Sequence, residues 1–205
     1  MFYPAQGNLR LLSPHFPMAS KSAHESTGWA AGVIAAALVG TSLKGDATPV
    51  WCLLAFLMAY SGGTAPDWME ISWWKRGSGR HSWITHRTWT HWGLPWLAAL
   101  WFSYVFMPQA PPLSLLFGFA AGGVMHLLAD FPNPLGVPWL LPTRRHSLRW
   151  WNSGRYDLIV VSAAWLTAAY LSDQAWFDGQ MKATLLDLFA ETLWPWLAQQ
   201  IGSLI

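Results

Sequence analysis

Five apolar runs, separated by polar segments, constrain this chain more than any other feature of its sequence. They cover about residues 28–43, 50–64, 92–108, 113–131 and 157–172. Each run is near or below the ~20 residues that an α-helix needs to cross ~30 Å of hydrocarbon. The pattern therefore predicts short transmembrane helices that tilt little, thin the bilayer, or end in a polar cavity.

The composition also indicates an integral membrane protein. Hydrophobic residues make up 53% of the 205 residues, charged residues only 11%, and there are 17 tryptophans. A soluble domain carries about a quarter charged residues, and tryptophan is enriched where helices meet lipid headgroups. The net charge of +2 is too small to favour nucleic-acid binding. Because Cys52 is the one cysteine, an internal disulfide is excluded.

The length fits a single domain. We expect residues 24–205 to form one membrane-embedded, all-α domain of about five short transmembrane helices, preceded by a flexible or surface-lying lead-in at 1–23. The C-terminal segment 181–205 mixes apolar and charged residues. It could be an amphipathic helix at the membrane surface or a weak sixth span that Pro195 interrupts.

Lysine and arginine residues predict the orientation of these helices. If the N-terminus lies inside, ten of the 12 cationic residues fall on the cytoplasmic side. They lie in the N-terminal segment and in the long loops 65–91 and 131–156, and are Arg10, Lys21, Lys75, Arg76, Arg80, Arg87, Arg144, Arg145, Arg149 and Arg155. Lys44 and Lys182 lie on the opposite side. This excess predicts that the N-terminus and both long loops face the cytoplasm.

Histidines and aspartates stand at the ends of the apolar runs. Imidazole and carboxylate groups are ligands of zinc and of harder divalent ions, and they are costly in or near lipid. The expected topology places all of them at cytoplasmic helix ends: His24, Asp67, His86, His91, His126, Asp130 and Asp157. Their convergence on one membrane face predicts a single metal site.

The spacing within these groups differs in what it predicts. His126 and Asp130 are four residues apart, so one helix face can supply both to a metal ion, although a polar pair packed between helices would have the same spacing. His86 and His91 are five apart and do not share a helical face. Asp67 follows a Gly-Gly break and could instead cap a turn.

Other polar residues near these ends could serve the same site. Arg87, Arg144 and Arg145 could hold an anionic group, because guanidinium binds phosphate and carboxylate in a bidentate manner. They could equally serve only to set the topology. Asp157 could bind the metal, orient a histidine, or cap the fifth helix. His24, just ahead of the first run, could be a ligand or a structural residue.

Four stretches of the chain carry a family resemblance. They are His24, Pro66-Asp67, the stretch His-Arg-Thr-Trp-Thr-His at 86–91, and 126–142 with His126, Asp130, Asn133-Pro134, Gly136-Val137 and Pro142. In these motifs the chain, over about residues 24–160, resembles the LexA-regulated, membrane-bound predicted metal-dependent hydrolases of bacteria. At the second stretch that family has Pro-Asp-x-Asp-His. In this chain Met69 replaces the second aspartate and Glu70 replaces the histidine. Trp92 replaces the serine that follows the second histidine.

The resemblance implies a metal-dependent hydrolase of the bacterial inner membrane. We predict that one or two divalent ions, zinc by their ligand set, bind at the cytoplasmic face to His24, Asp67, His86, His91, His126 and Asp130. Glu70, Asp130 or Asp157 could then act as a general base. Arginines and tryptophans at the lipid boundary suit an amphiphilic substrate with an anionic head, such as a lipid phosphoester taken from the membrane.

Two functions of other classes fit the same residues. A membrane scaffold or binding protein would hold a structural metal, with four protein ligands and no water. An ion or metal transporter would carry charged groups at mid-membrane depth. The interiors of the apolar runs are nearly free of such groups, which argues against a conduit.

Overall fold

The computed structural model describes residues 21–70, 72–75, 79–82, 89–150 and 157–181, and near the C-terminus 187, 190, 191 and 194–202. The helices are α1 (Lys21–Ser42), α2 (Thr48–Gly62), α3 (Ala65–Trp68), α4 (Gly93–Phe106), α5 (Leu113–Asp130), α6 (Asp157–Trp176) and α7 (Trp194–Gly202). The strands are β1 (Ser72–Lys75), β2 (Gly79–Ser82), β3 (Val137–Leu141) and β4 (Arg144–His146).

Each of the five apolar runs forms a helix, as the sequence predicts. Among the described helices, α5 and α6 are long and apolar enough to cross a membrane. Helices α2 and α4 are apolar but have 15 and 14 residues, which corresponds to about 22 Å and 21 Å. Crossing by α1, α2 and α4 therefore stays a prediction.

Helix α5 holds the bundle together, since it packs against α1, α2 and α4, while α1 also packs against α2 and α6. The contact between α2 and α5 is made by small residues. A Cβ atom added to Gly118 would overlap the carbonyl oxygen of Ala55, and one added to Gly122 would overlap that of Ala59. This Gly-x-x-x-Gly pairing lets the two backbones touch, as in helix pairs packed within membranes.

The outer faces of α4 and α6 are apolar and exposed. Trp101 on α4 is 66% exposed and Leu166 on α6 is 71% exposed. Phe102 and Leu158 extend these two faces. An apolar exterior of this kind is costly in water and is expected where helices contact lipid.

The expectation of an all-α fold is wrong in the two long loops. Strands β1 and β2 pair antiparallel with Ser72 opposite Ser82, and β3 pairs with β4 with Val137 opposite His146. A long loop near a membrane must still satisfy its backbone N–H and C=O groups, and a short hairpin does so locally. The loops therefore contribute strands to a fold that is otherwise helical.

The chain ends also differ in detail from the sequence prediction. Helix α1 begins at Lys21, so His24 lies inside the first helix rather than ahead of it. Pro195 does not interrupt α7 but lies in its first turn, where the missing N–H of proline costs no hydrogen bond. Helix α7 has nine residues, about 14 Å, which is too short to span a membrane by itself.

Candidate metal centre

The packing of α5 on α2 fixes the first histidine of the site. Gly118, Gly122 and His126 follow one another at intervals of four along α5, so His126 continues the stripe of close contact. Its Nδ1 atom donates a hydrogen bond to the carbonyl oxygen of Gly63, at 2.9 Å. Because a carbonyl only accepts, the proton lies on Nδ1 and the lone pair lies on Nε2. The Nε2 atom has no hydrogen-bond partner among the described residues.

This Nε2 atom is one corner of a closed quadrilateral of two nitrogen and two oxygen atoms. The His126 Nε2 atom lies 3.7 Å from Asp67 Oδ1 and 3.6 Å from Asp130 Oδ2. The His91 Nε2 atom lies 3.5 Å and 3.8 Å from the same two oxygens. Four ligand atoms from α3, the turn before α4 and the end of α5 therefore alternate as N, O, N and O.

The edges of this quadrilateral have the length expected of metal ligands. They are longer than an ordinary N–H···O hydrogen bond of about 2.7–3.2 Å. Ligands at about 2.1 Å from a tetrahedral ion would stand about 3.4 Å from one another. Each edge is within about 0.4 Å of that value, while Asp67 and Asp130 fall in separate ligand groups that share His126, so the residues fit one or two divalent ions of the zinc type.

His24 joins the site through the other oxygen of Asp130. Its Nε2 atom lies 3.6 Å from Asp130 Oδ1, and its ring stacks on that of His126 with centroids 4.0 Å apart. Two ligand groups result, which share His126: Asp67 with His91, and His24 with Asp130. Asp130 thus presents one carboxylate oxygen to the quadrilateral and one to His24.

Short local contacts hold His91 in place. Its Nδ1 atom lies 3.1 Å from the hydroxyl oxygen of Thr90 and 3.7 Å from a carboxylate oxygen of Glu70. The carbonyl of Thr90 in turn accepts a 2.8 Å hydrogen bond from the indole of Trp96. Contacts to the far nitrogen of a ligating histidine set its orientation and its tautomer.

Asn133 plays a similar part for Asp130. Three residues beyond the end of α5, its Nδ2 atom donates a 3.4 Å hydrogen bond to Asp130 Oδ1, while its backbone N–H donates to the carbonyl of Asp130 at 3.1 Å. The side chain of Asn133 is buried. The turn after α5 therefore supports a ligand on that helix.

The site is buried on one side and open on the other. His24, His91, His126 and Asp130 are all buried, whereas the side chain of Asp67 is 48% exposed. Burial raises the pKa of the Asp67 carboxyl, but its contact with His91 and the charges of the three histidines outweigh this, so the pKa lies below its ordinary value. Asp67 is therefore a carboxylate at the mouth of the site.

A family model matches residues 18–200 of the chain, and its description is YdjM inner membrane protein. The chain belongs to the YdjM inner membrane protein family. This match confirms the expectation of a protein of the bacterial inner membrane. No curated protein and no solved structure matches the chain.

In this YdjM-family chain the predicted site residues fall into four groups. Five of the predicted ligands come together in space: His24, Asp67, His91, His126 and Asp130. Glu70 lies against His91, as described above. His86 and Arg87 lie outside the described residues, so their part in the site stays a prediction.

Asp157 and the two remaining arginines lie away from the quadrilateral. Asp157 is the first residue of α6 and belongs to neither ligand group. Arg144 and Arg145 are exposed on β4. Of these two, Arg145 lines a cavity beside the end of α5 and Arg144 does not.

Sequence reasoning assigned no role to Gly63, Thr90 or Asn133. Asn133 stands three residues after Asp130, a spacing at which a side chain reaches back over a helix end, so its signal was present in the motif. Thr90 precedes a ligand directly in sequence. The role of Gly63 could not be predicted from the sequence, because every residue carries a backbone carbonyl.

Proposed function

We propose that this chain is a membrane-bound hydrolase that uses a divalent metal ion, zinc by its ligand set, held by Asp67, His91, His126 and Asp130. The observation that carries the proposal is the closed quadrilateral of two nitrogen and two oxygen atoms, with edges of 3.5–3.8 Å. Mixed imidazole and carboxylate ligands are typical of zinc in hydrolytic enzymes.

Exposure of Asp67 favours a catalytic site over a structural one. A structural zinc site is closed by its four protein ligands, whereas a catalytic site keeps a position for water or substrate. His91, His126 and Asp130 are buried, and the half-exposed carboxylate of Asp67 marks the side from which water or substrate would bind the ion as a fifth ligand. When bound there, a divalent ion activates water for attack at neutral pH and polarises the bond that is cleaved.

The surrounding residues have defined parts in this proposal. Gly63 holds His126 in the tautomer that directs Nε2 at the ion, and Glu70 and Thr90 orient His91. Glu70, a mostly buried carboxylate three residues after Asp67, is also our candidate for the group that accepts a proton from the attacking water.

The membrane setting supports an amphiphilic substrate. The site lies at the N-terminal end of α1 and at the ends of α2, α4 and α5 that are joined to the two arginine-bearing loops. If five helices cross the bilayer, the excess of positive charge supports a cytoplasmic location for this end. Helices α2 and α4 are short, which supports a position close to the lipid boundary for Asp67 on α3 and for His91 just before α4.

The test pairs metal analysis with turnover on the purified full chain. We expect the wild type to retain about one or two zinc ions after dialysis and Asp130→Asn to lose them. Asp173→Asn is the matched control, since Asp173 is another buried carboxylate, on α6 and in neither ligand group. Absence of metal from the wild type would overturn the proposal.

Activity is measured on a lipid phosphoester presented in nanodiscs. We expect the wild type to release a water-soluble product and His91→Ala to release none. Full metal loading without turnover of any phosphoester or acyl ester would favour the alternative, a membrane scaffold with a structural metal. X-ray absorption of the zinc-loaded protein separates the two further, because a scaffold site would show no water ligand.

A further inference from the structure

A cavity of ≈ 490 Å³ lies between the end of α5 and the β3–β4 hairpin. This volume falls in the range of about 300–1,000 Å³ that is typical of small-molecule sites. Its apolar wall includes Phe131 and Leu135, while Arg145, His146, Ser147 and Arg149 line the other side. Among the residues that the structure shows lining it, none is acidic, so the cavity is positively charged.

The polar side of the cavity is fixed to the end of α5 by hydrogen bonds. The hydroxyl of Ser147 donates to the carbonyl of Asn133 and accepts the backbone N–H of Arg149, at 3.0 Å in the second case. The N–H of Leu148 donates to the carbonyl of Phe131 at 3.2 Å. Arg149 has a φ of 52°, an uncommon conformation for a residue other than glycine. The backbone that carries both arginines is therefore held in one arrangement.

This cavity is linked to the metal centre through the turn after α5. Phe131 on its wall directly follows the ligand Asp130 in sequence. Asn133, whose carbonyl receives the Ser147 hydroxyl, donates its side-chain N–H to Asp130 Oδ1. One turn of backbone thus connects the cavity wall to a ligand of the quadrilateral.

We propose that this headgroup cavity, lined by Phe131, Leu135, Arg145, His146, Ser147 and Arg149, binds the phosphate-type anionic head of an amphiphile. Two guanidinium groups suit phosphate oxygens, and the apolar wall suits the first carbons of an attached chain. The inference rests on the proposed function, since it names the substrate class of the same site. It adds a set of residues that recognises the substrate and is distinct from the metal ligands.

Binding is measured on the full chain in neutral detergent after chelation of metal, so that the result does not depend on hydrolysis. The probes are dihexanoyl phosphatidic acid, dihexanoylglycerol with the same tails and no phosphate, and inorganic phosphate. We expect the phosphatidic acid to bind at least tenfold more tightly than the glyceride. The double variant Arg145→Gln/Arg149→Gln should lose at least tenfold in affinity for it.

Lys44→Gln is the matched control, because it removes one positive charge from the α1–α2 loop at the opposite end of the bundle. It should bind the phosphatidic acid as the wild type does. Zinc content after reloading reports the fold of the double variant, since its metal ligands are unchanged.

The competing sources give different results. Displacement of the phosphatidic acid by millimolar inorganic phosphate would support recognition of the phosphate group alone, and failure to displace it would support an amphiphile. Equal binding of the glyceride and the phosphatidic acid by the wild type would overturn the proposal. So would a double variant that takes up zinc on reloading and keeps the wild-type affinity for phosphatidic acid. A wild-type chain that binds phosphatidic acid but no zinc would instead refute the proposed hydrolase and would still support binding of the anionic head in the headgroup cavity.

Discussion

The Nδ1 atom of His126 and the carbonyl oxygen of Gly63 lie 2.9 Å apart although 63 residues separate them in the chain. Each belongs to a stripe of residues at intervals of four, with Ala55 and Ala59 preceding Gly63, and Gly118 and Gly122 preceding His126. The register that packs α5 on α2 is therefore the register that delivers His126 to its acceptor. Close helix packing and the orientation of the ligand have one structural cause.

Gly122→Ala tests this coupling. Its new methyl group would overlap the carbonyl oxygen of Ala59, so α2 and α5 must separate. We expect a loss of about 1–3 kcal/mol in the free energy of unfolding, together with weaker zinc binding as His126 moves away from Gly63. Thermal unfolding in detergent and zinc titration measure the two effects.

Gly28→Ala is the control for that substitution. A Cβ there would meet its nearest neighbour, the carbonyl oxygen of Tyr60, at 3.5 Å, which is ordinary contact. We expect unchanged zinc affinity and stability equal to or slightly above the wild type, because alanine favours the helix. Equal behaviour of the two variants would contradict the coupling of packing to ligand position.

His24→Ala should weaken metal binding without abolishing it. The quadrilateral of His91, His126, Asp67 and Asp130 remains complete, and the losses are the contact to Asp130 Oδ1 and the ring stacking on His126. We expect affinity to fall about 10–100-fold, as for removal of a supporting partner, whereas His126→Ala should lose the metal. Equilibrium dialysis with zinc analysis measures both, and complete metal loss in His24→Ala would show that His24 is indispensable.

Asn133→Ala should act through Asp130. Without the amide, the Oδ1 atom loses a donor and the carboxylate gains freedom to rotate away from the quadrilateral. We expect zinc affinity to fall about 10–100-fold with the fold retained. Asn133→Ser, whose hydroxyl can still donate, should recover part of the loss of zinc affinity. A zinc titration of both variants measures this. Equal zinc affinity of the two variants would show that Asn133 has a purely structural role.

Cysteine labelling tests the predicted orientation of the helices in the membrane. In a Cys52→Ser background, Thr143→Cys places a thiol in the exposed β3–β4 turn, and Lys44→Cys places one in the α1–α2 loop. We expect a membrane-impermeant maleimide to label Lys44→Cys in spheroplasts and Thr143→Cys in inside-out vesicles. Labelling of both positions from one side would refute the predicted topology.

The sequence predicted the parts of this protein that depend on local periodicity. Apolar runs became helices, and His126 and Asp130 share a helix face, because a period of 3.6 residues is a property of the adjacent chain. The long loops were misread, since their short hairpins depend on pairing between segments whose sequences are rich in Trp, Arg and Pro and lack a clear alternation. The position of His24 inside α1 was missed because a polar first turn looks like a loop in a hydropathy pattern.

By itself, then, the sequence determined which residue types stand at the helix ends, and it indicated a metal from their chemistry. Only the tertiary structure decided that Asp67 and His91 meet His126 and Asp130 as alternating oxygen and nitrogen atoms, with His24 on the remaining oxygen of Asp130. The physical reason is that helix register is set by where small residues let backbones touch. At Gly118 and Gly122 that contact depends on the partner helix, which no local pattern specifies.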